Sequence, residues 1–215
     1  MDARLSLQMG LVGHWPLDDD PSDGATAAAG RDARCVTSCP SPIVGPRSGA
    51  FDFDGIDDAL VVDDDAAFRL RPGSVALWFR LDGAPPVGEY FGVIGKPWGD
   101  LSLNSWEAFL SHPAPNVIEL NCCGDSFANP LQFVQIQRTG WVHLAFTWDT
   151  STNIYLDGQR VAGGAFDVQW DDHPLAIGAD LSGTVWGRFL DGAIDDVRIY
   201  DRVLTEAEIV SLALP

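Results

Sequence analysis

Two kinds of side chain have the spacing to do chemistry here: carboxylates gathered along apparent strands, and tryptophans set beside polar groups in turns. In FDFDGIDDALVVDDD, residues 51 to 65, seven aspartates stand among Phe51, Phe53, Ile56, Leu60, Val61 and Val62. Clustered carboxylates suit a hard cation such as Ca²⁺, which takes about 6 to 8 oxygen ligands. Strand alternation accounts for most of them: Phe51 and Phe53 face one way, Asp52 and Asp54 the other, and Gly55 opens an acidic turn. Asp63, Asp64 and Asp65 need no partner but water. Asp195 is different, because in AIDDVRIY it shares parity with Val197 and Ile199. That parity places a carboxylate on the presumed inner face, where a lone charge is costly. A cation, backbone amides or an arginine would each satisfy it.

Catalytic arrangements are harder to find. A retaining glycosidase holds two carboxylates about 5 to 5.5 Å apart, which on a strand asks for acids two residues apart on one face. Glu89, Glu107 and Glu119 stand alone, and Glu206 and Glu208 fall in a C-terminal helix. His14, His112, His143 and His173 are dispersed, and His14 and His143 read as packing residues close to Trp15 and Trp141. There is no Gly-x-Ser-x-Gly elbow and no glycine-rich phosphate loop. The expectation is a protein that is not an enzyme.

Aromatic faces stack on the C–H surface of sugar rings, and eight tryptophans are available for this. Trp15, Trp78, Trp141 and Trp148 lie in strand-like runs and are expected in the core. Trp98, Trp106, Trp170 and Trp186 lie in KPWGD, NSWEA, VQWDDH and TVWGRF, beside residues that favour loops and strand ends. Rim loops on a rigid scaffold commonly recognise ligands. Together with Asp100, Asp171 and Arg188, these four tryptophans are the candidate ligand-binding residues. The plainer role of any one of them is to anchor its own loop.

The elements that must position these groups are short. Thirteen strand-like runs recur between Gly, Pro and Asp clusters, at 11–16, 50–53, 59–62, 74–81, 90–96, 106–111, 117–121, 133–137, 141–149, 154–156, 159–161, 175–177 and 192–200. Such a pattern predicts an all-β protein of two packed antiparallel sheets. In NIYLDGQRV the Asp157-Gly158 pair predicts a type I′ hairpin. Thr205 and Glu208 have capping-box spacing, with Ile209, Leu212 and also Ala213 candidates for one buried face, so one short helix should close the chain. DGATAAAGRDA reads as a flexible loop, and 1–215 reads as a single domain.

Composition narrows the partners. A net charge of −18 disfavours nucleic acid and anionic membrane surfaces. Of 31 acidic residues 26 are Asp, a turn former and cation ligand, and Lys96 is the one lysine. No run reaches the ~20 apolar residues of a membrane span, and the first residues lack the pattern of a secretion signal. Cys35 and Cys39, with the adjacent Cys122 and Cys123, leave disulfides, free thiols and a zinc site all open.

GLVGHWPLDDD, GAFDFDGIDDALVV, GSVALWFRL, WVHLAFTWDTSTNIYLDGQRV and FLDGAIDDVRIYDRVLTEAEIVSLA occur in an order that resembles the laminin G-like, concanavalin A-like jelly-roll family, in its bacterial branch. The resemblance implies a two-sheet jelly-roll sandwich, recognition of carbohydrate or protein, a structural Ca²⁺ and an extracellular setting. It also implies that the metal joins the N-terminal segment to the last strand. Asp18 and Asp195 are then the first-choice ligands, with Asp54 and Asp58 as additions. The family's retaining hydrolases use Glu-x-Asp-x-Glu, which is missing here. In VQIQ, residues 134–137, Gln137 stands where the related lyases would require histidine.

Overall fold

The computed structural model describes residues 3–96, 106–114, 117–122, 132–136, 140–165, 172–182 and 184–215. Two antiparallel sheets face each other. The first runs, in spatial order, Gln159–Ala165 (β13), Ser151–Leu156 (β12), Val142–Trp148 (β11), Gly73–Leu81 (β6), Asp191–Tyr200 (β17), Ser48–Asp54 (β4) and Ser41–Gly45 (β3), with Leu11–Trp15 (β1) also paired to β17. The second runs Gln132–Gln135 (β10), Val117–Cys122 (β9), Glu107–Ala114 (β8), Tyr90–Gly95 (β7), Leu175–Ile177 (β14), Leu60–Val62 (β5) and Arg34–Cys35 (β2). A separate two-stranded ribbon pairs Asp180–Ser182 (β15) with Val185–Gly187 (β16). Short helices Ala3–Ser6 (α1) and Glu206–Leu212 (α2) lie near the two ends of the chain.

Strand alternation builds the core. Val75, Leu77 and Phe79 of β6, Phe51 and Phe53 of β4 and Leu144 and Phe146 of β11 meet Phe91, Val93, Trp106, Ala108 and Leu110 from the second sheet. A second cluster lies on the outer face of the first sheet, where Ala76, Ala145, Tyr155 and Tyr200 are covered by Leu7, Leu204, Ile209 and Leu212. Helix α2 carries the predicted capping box: Thr205 accepts from the Glu208 amide and Glu208 accepts from the Thr205 amide. Asp157 (φ 49°) and Gly158 (φ 78°) both take left-handed backbone at the predicted β12–β13 hairpin.

Two expectations change, for the 23–33 segment and for Trp141, and one open question, the pairing of Cys35 and Cys39, is settled. The 23–33 segment folds back onto β1: the His14 and Ala29 backbones pair, and the Trp15 indole donates to the Arg31 carbonyl. Cys35 and Cys39 form a disulfide. Trp141 is only partly buried, with the Arg80 guanidinium 5.4 Å from its ring centroid, whereas Trp15 and Trp148 are fully enclosed.

Candidate functional site

Asp195 is fully buried, 0% exposed, though on the face opposite to the one its parity implies. The register between β17 and β6 shifts between Asp195 and Arg198, and Asp196 takes φ 50°. Ile194 and Val197 therefore both enter the core, while Asp195 pairs with Trp78 on the outer face. One extra residue in the ladder reverses the alternation.

The chain closes over this carboxyl from two directions. The Arg47 amide, in the β3–β4 turn, donates to Asp195 Oδ2 at 2.8 Å, and the Gly49 amide donates to Asp18 Oδ1 at 2.6 Å. A Cβ on Gly45 would meet the Gly49 carbonyl oxygen at 2.5 Å and Asp195 Oδ2 at 2.6 Å, so glycine is what lets these oxygens converge. Leu17 (φ 59°), Ser48 (φ 113°) and Asp196 (φ 50°) all hold left-handed backbone around this point. Such strain gathers where a structure over-determines its geometry. Burial, reinforced by the charges of Asp196 and Asp18 against the bond from Arg47, pushes the Asp195 carboxyl up to about 7. Its Oδ1 has no hydrogen-bond partner among the described residues. Two carboxylates, one with an orphaned buried oxygen, and the nearby Gly49 carbonyl oxygen form a donor set that fits Ca²⁺.

Asp54 and Asp58 do not join this centre. Asp54 faces Asp191 at the far end of β4, four residues beyond the position opposite Asp195, or roughly 13 Å at strand rise. There Asp54, Asp57 and Asp58 place carboxylate oxygens within 4.8 Å of one another, and Asp54 accepts from the Ile56 and Asp57 amides. Asp196 is likewise engaged, by His14 at 2.8 Å and by Arg198.

The ligand-binding candidates divide sharply. Trp106 is 0% exposed and packs on Phe146 and Trp148 in the core, so it cannot stack on a sugar: it directly precedes β8 and shares the inward parity of Ala108 and Leu110. Trp98, Asp100, Trp170 and Asp171 lie outside the described residues. Trp186, half-buried on β16, and the exposed Arg188 just beyond it remain.

Arg188 belongs to a cluster that sequence spacing does not reveal. Its Nη1 donates to Asp180 Oδ2 at 2.8 Å, and its guanidinium lies 4.1 Å over the Tyr90 ring. The Tyr90 hydroxyl donates to the same Asp180 oxygen at 3.1 Å, and Tyr90 and Phe109 rings are 4.9 Å apart. Glu107 is adjacent: burial first, then the Asp180 charge, pushes its carboxyl up to about 8 against the pull of Arg188. Glycines again make the approach work. A Cβ on Gly92 would strike the Ala179 backbone at 2.5 Å, and one on Gly95 would meet Glu107 Cγ at 2.9 Å. Alternation sends Phe91, Trp106, Ala108 and Leu110 inward, leaving Tyr90, Glu107 and Phe109 on the outer face.

Comparisons with known proteins agree with this architecture. Domain 4 of AbnA, a GH43 extracellular arabinanase from Geobacillus stearothermophilus, in complex with arabinotriose, matches with a TM-score of 0.70 at 19% identity, over 94% of this chain and 98% of that one. The Trypanosoma rangeli sialidase in complex with sialic acid matches with a TM-score of 0.71 at 17% identity, over 95% of this chain but 33% of the sialidase. The binding domain of Paraclostridial Mosquitocidal Protein 1 gives 0.67 at 15% identity, over 95% and 52%. A comparison with curated proteins finds no match. A family model described as the concanavalin A-like lectin/glucanases superfamily matches residues 54–210, and with the two-sheet sandwich around it this match shows that the chain belongs to that family.

Proposed function

We propose that the chain is a non-catalytic carbohydrate-recognition module with one fold-stabilising Ca²⁺ held by Asp18 and Asp195. The observation that carries the glycan reading is the β15–β16 ribbon, which presents Trp186 beside an exposed arginine already stacked on Tyr90. An aromatic body next to fixed hydrogen-bonding groups is what an amphipathic sugar ring requires. Neighbours of the same fold in complex with arabinotriose and with sialic acid support a glycan ligand, and the extracellular arabinanase supports an extracellular setting. Among the described residues no helix is long and apolar enough to cross a membrane.

Ca²⁺ would neutralise the carboxylates of Asp18 and Asp195 and tie the N-terminal segment to β17. Asp195 Oδ1 supports the assignment, because it is a buried acceptor that no donor among the described residues reaches. A protein ligand is the second reading, favoured by Val185, 68% exposed next to Trp186 on the same ribbon. Affinity electrophoresis through gels containing soluble arabinan, xylan, glucan or mannan tests the proposal. Retardation of the wild type that Trp186→Ala reduces supports it; unretarded migration in every gel, with capture by a protein ligand instead, supports the second reading.

A further inference from the structure

We infer that Tyr90, Glu107, Asp180 and Arg188 form one receptacle on the outer face of the second sheet, which takes a neutral glycan through two adjacent hydroxyl groups. The inference rests on the carbohydrate reading above and names the site and class of sugar within it.

The four groups come from the starts of strands β7 and β8 and from the open end of the β15–β16 ribbon, where Asp180 pairs with Gly187 and Arg188 follows it, so three separate segments of the chain meet here. Asp180 is fixed by two donors on one oxygen, the Tyr90 hydroxyl and Arg188 Nη1, which leaves Oδ1 to accept from a ligand. Glu107 is 9% exposed, and no hydrogen bond among the described residues engages its side chain. A buried carboxyl in that condition ordinarily finds a partner. Holding its proton at neutral pH, as its burial beside Asp180 favours, it offers one donor where Asp180 offers an acceptor. Two neighbouring hydroxyls present the matching acceptor and donor. Phe109, half-buried against Tyr90, adds an apolar surface beside them.

The same arrangement disfavours an acidic sugar. The Arg188 charge is already matched by Asp180, so a ligand carboxylate would meet Asp180 with no cation to compensate. The chain's net charge of −18 adds long-range repulsion.

Calorimetry with the purified chain tests this, using arabinotriose, xylotriose, cellotriose and mannotriose as neutral probes and sialyllactose and trigalacturonate as acidic ones. A neutral probe should bind, and Asp180→Asn and Arg188→Ala should each weaken it at least tenfold, with folding checked by circular dichroism. Tyr90→Phe, which removes one hydroxyl and keeps the ring, should weaken it severalfold. Binding should decline between pH 7 and 9, and Glu107→Gln should abolish that decline. Preference for an acidic probe would overturn the inference while leaving carbohydrate recognition intact, as would a neutral-glycan affinity that responds to Trp186→Ala but to none of the four variants. No binding by any probe would remove both.

Discussion

Asp195 carries a buried carboxyl with one oxygen that no donor among the described residues reaches, so its charge destabilises the fold until a cation compensates it. Replacing it by Asn should therefore act in opposite directions under two conditions. In EDTA, Asp195→Asn should stabilise the protein by about 1–3 kcal/mol. In Ca²⁺ it should remove a gain that reaches about 2.7 kcal/mol in wild type when the free ion is 100-fold above Kd. Thermal unfolding of both proteins in both buffers checks this. Glu107 gives a second prediction. Its folded carboxyl holds a proton up to about pH 8 against an ordinary value of 4.5, so the folded state binds more protons across that window. Stability from this group is present below about 4.5 and declines as pH rises toward 8. Glu107→Gln should flatten that decline and raise stability at pH 8.5 by about 1–3 kcal/mol, measured by urea unfolding. The sequence exposes the cost of burying Asp195, but not the bulge that sends it outward, since parity counting assumes an unbroken ladder. Glu107 looks solitary in sequence because Asp180 reaches it from more than seventy positions away.

Among the elements, the hairpin β3–β4 and the helix α2 do most to shape the surroundings of the proposed Ca²⁺ site. Arg47, in the hairpin turn, donates through its amide to Asp195 and through its guanidinium to the Ser211 and Leu212 carbonyls at the end of α2. Gly45→Ala would place a methyl group against Asp195 Oδ2 and the Gly49 carbonyl, so it should abolish the Ca²⁺-dependent rise in Tm. At the other end of α2, Arg202, Ser6 and Thr205 bond Glu208 and outweigh its burial, holding its carboxyl down to about 2. Thr205→Ala should cost about 1 kcal/mol in urea unfolding. The capping box, the Asp157-Gly158 hairpin and the long strands were legible because each has a local chemical signature. Strand β3 was not, since Ser41–Gly45 contains Pro42 and lies at a sheet edge, where weak β-formers are tolerated. The β15–β16 ribbon was equally hidden: three residues per strand give too short a run for alternation to show.

At the scale of the molecule, a net charge of −18 on 215 residues makes self-repulsion a general term in stability. Raising NaCl from near zero to about 0.15 M, where the Debye length is about 8 Å, should raise Tm in EDTA. A Ca²⁺ response that persists at this ionic strength, and that Mg²⁺ does not reproduce, then belongs to a specific centre. The two faces of the sandwich have separate tasks in this account: the outer face of the first sheet is closed by α2 and the metal centre, and that of the second carries the ligand. Fold class followed from patterning and from the order of five segments, whereas the ligand face depends on contacts between strands far apart in the chain. Glycan-array binding of the purified chain in Ca²⁺, with assay of the same glycans for released reducing sugar, decides between recognition and catalysis. Reproducible binding to neutral glycans with no release is the expected result. Silence across the array, or release of sugar from a bound glycan, would contradict it.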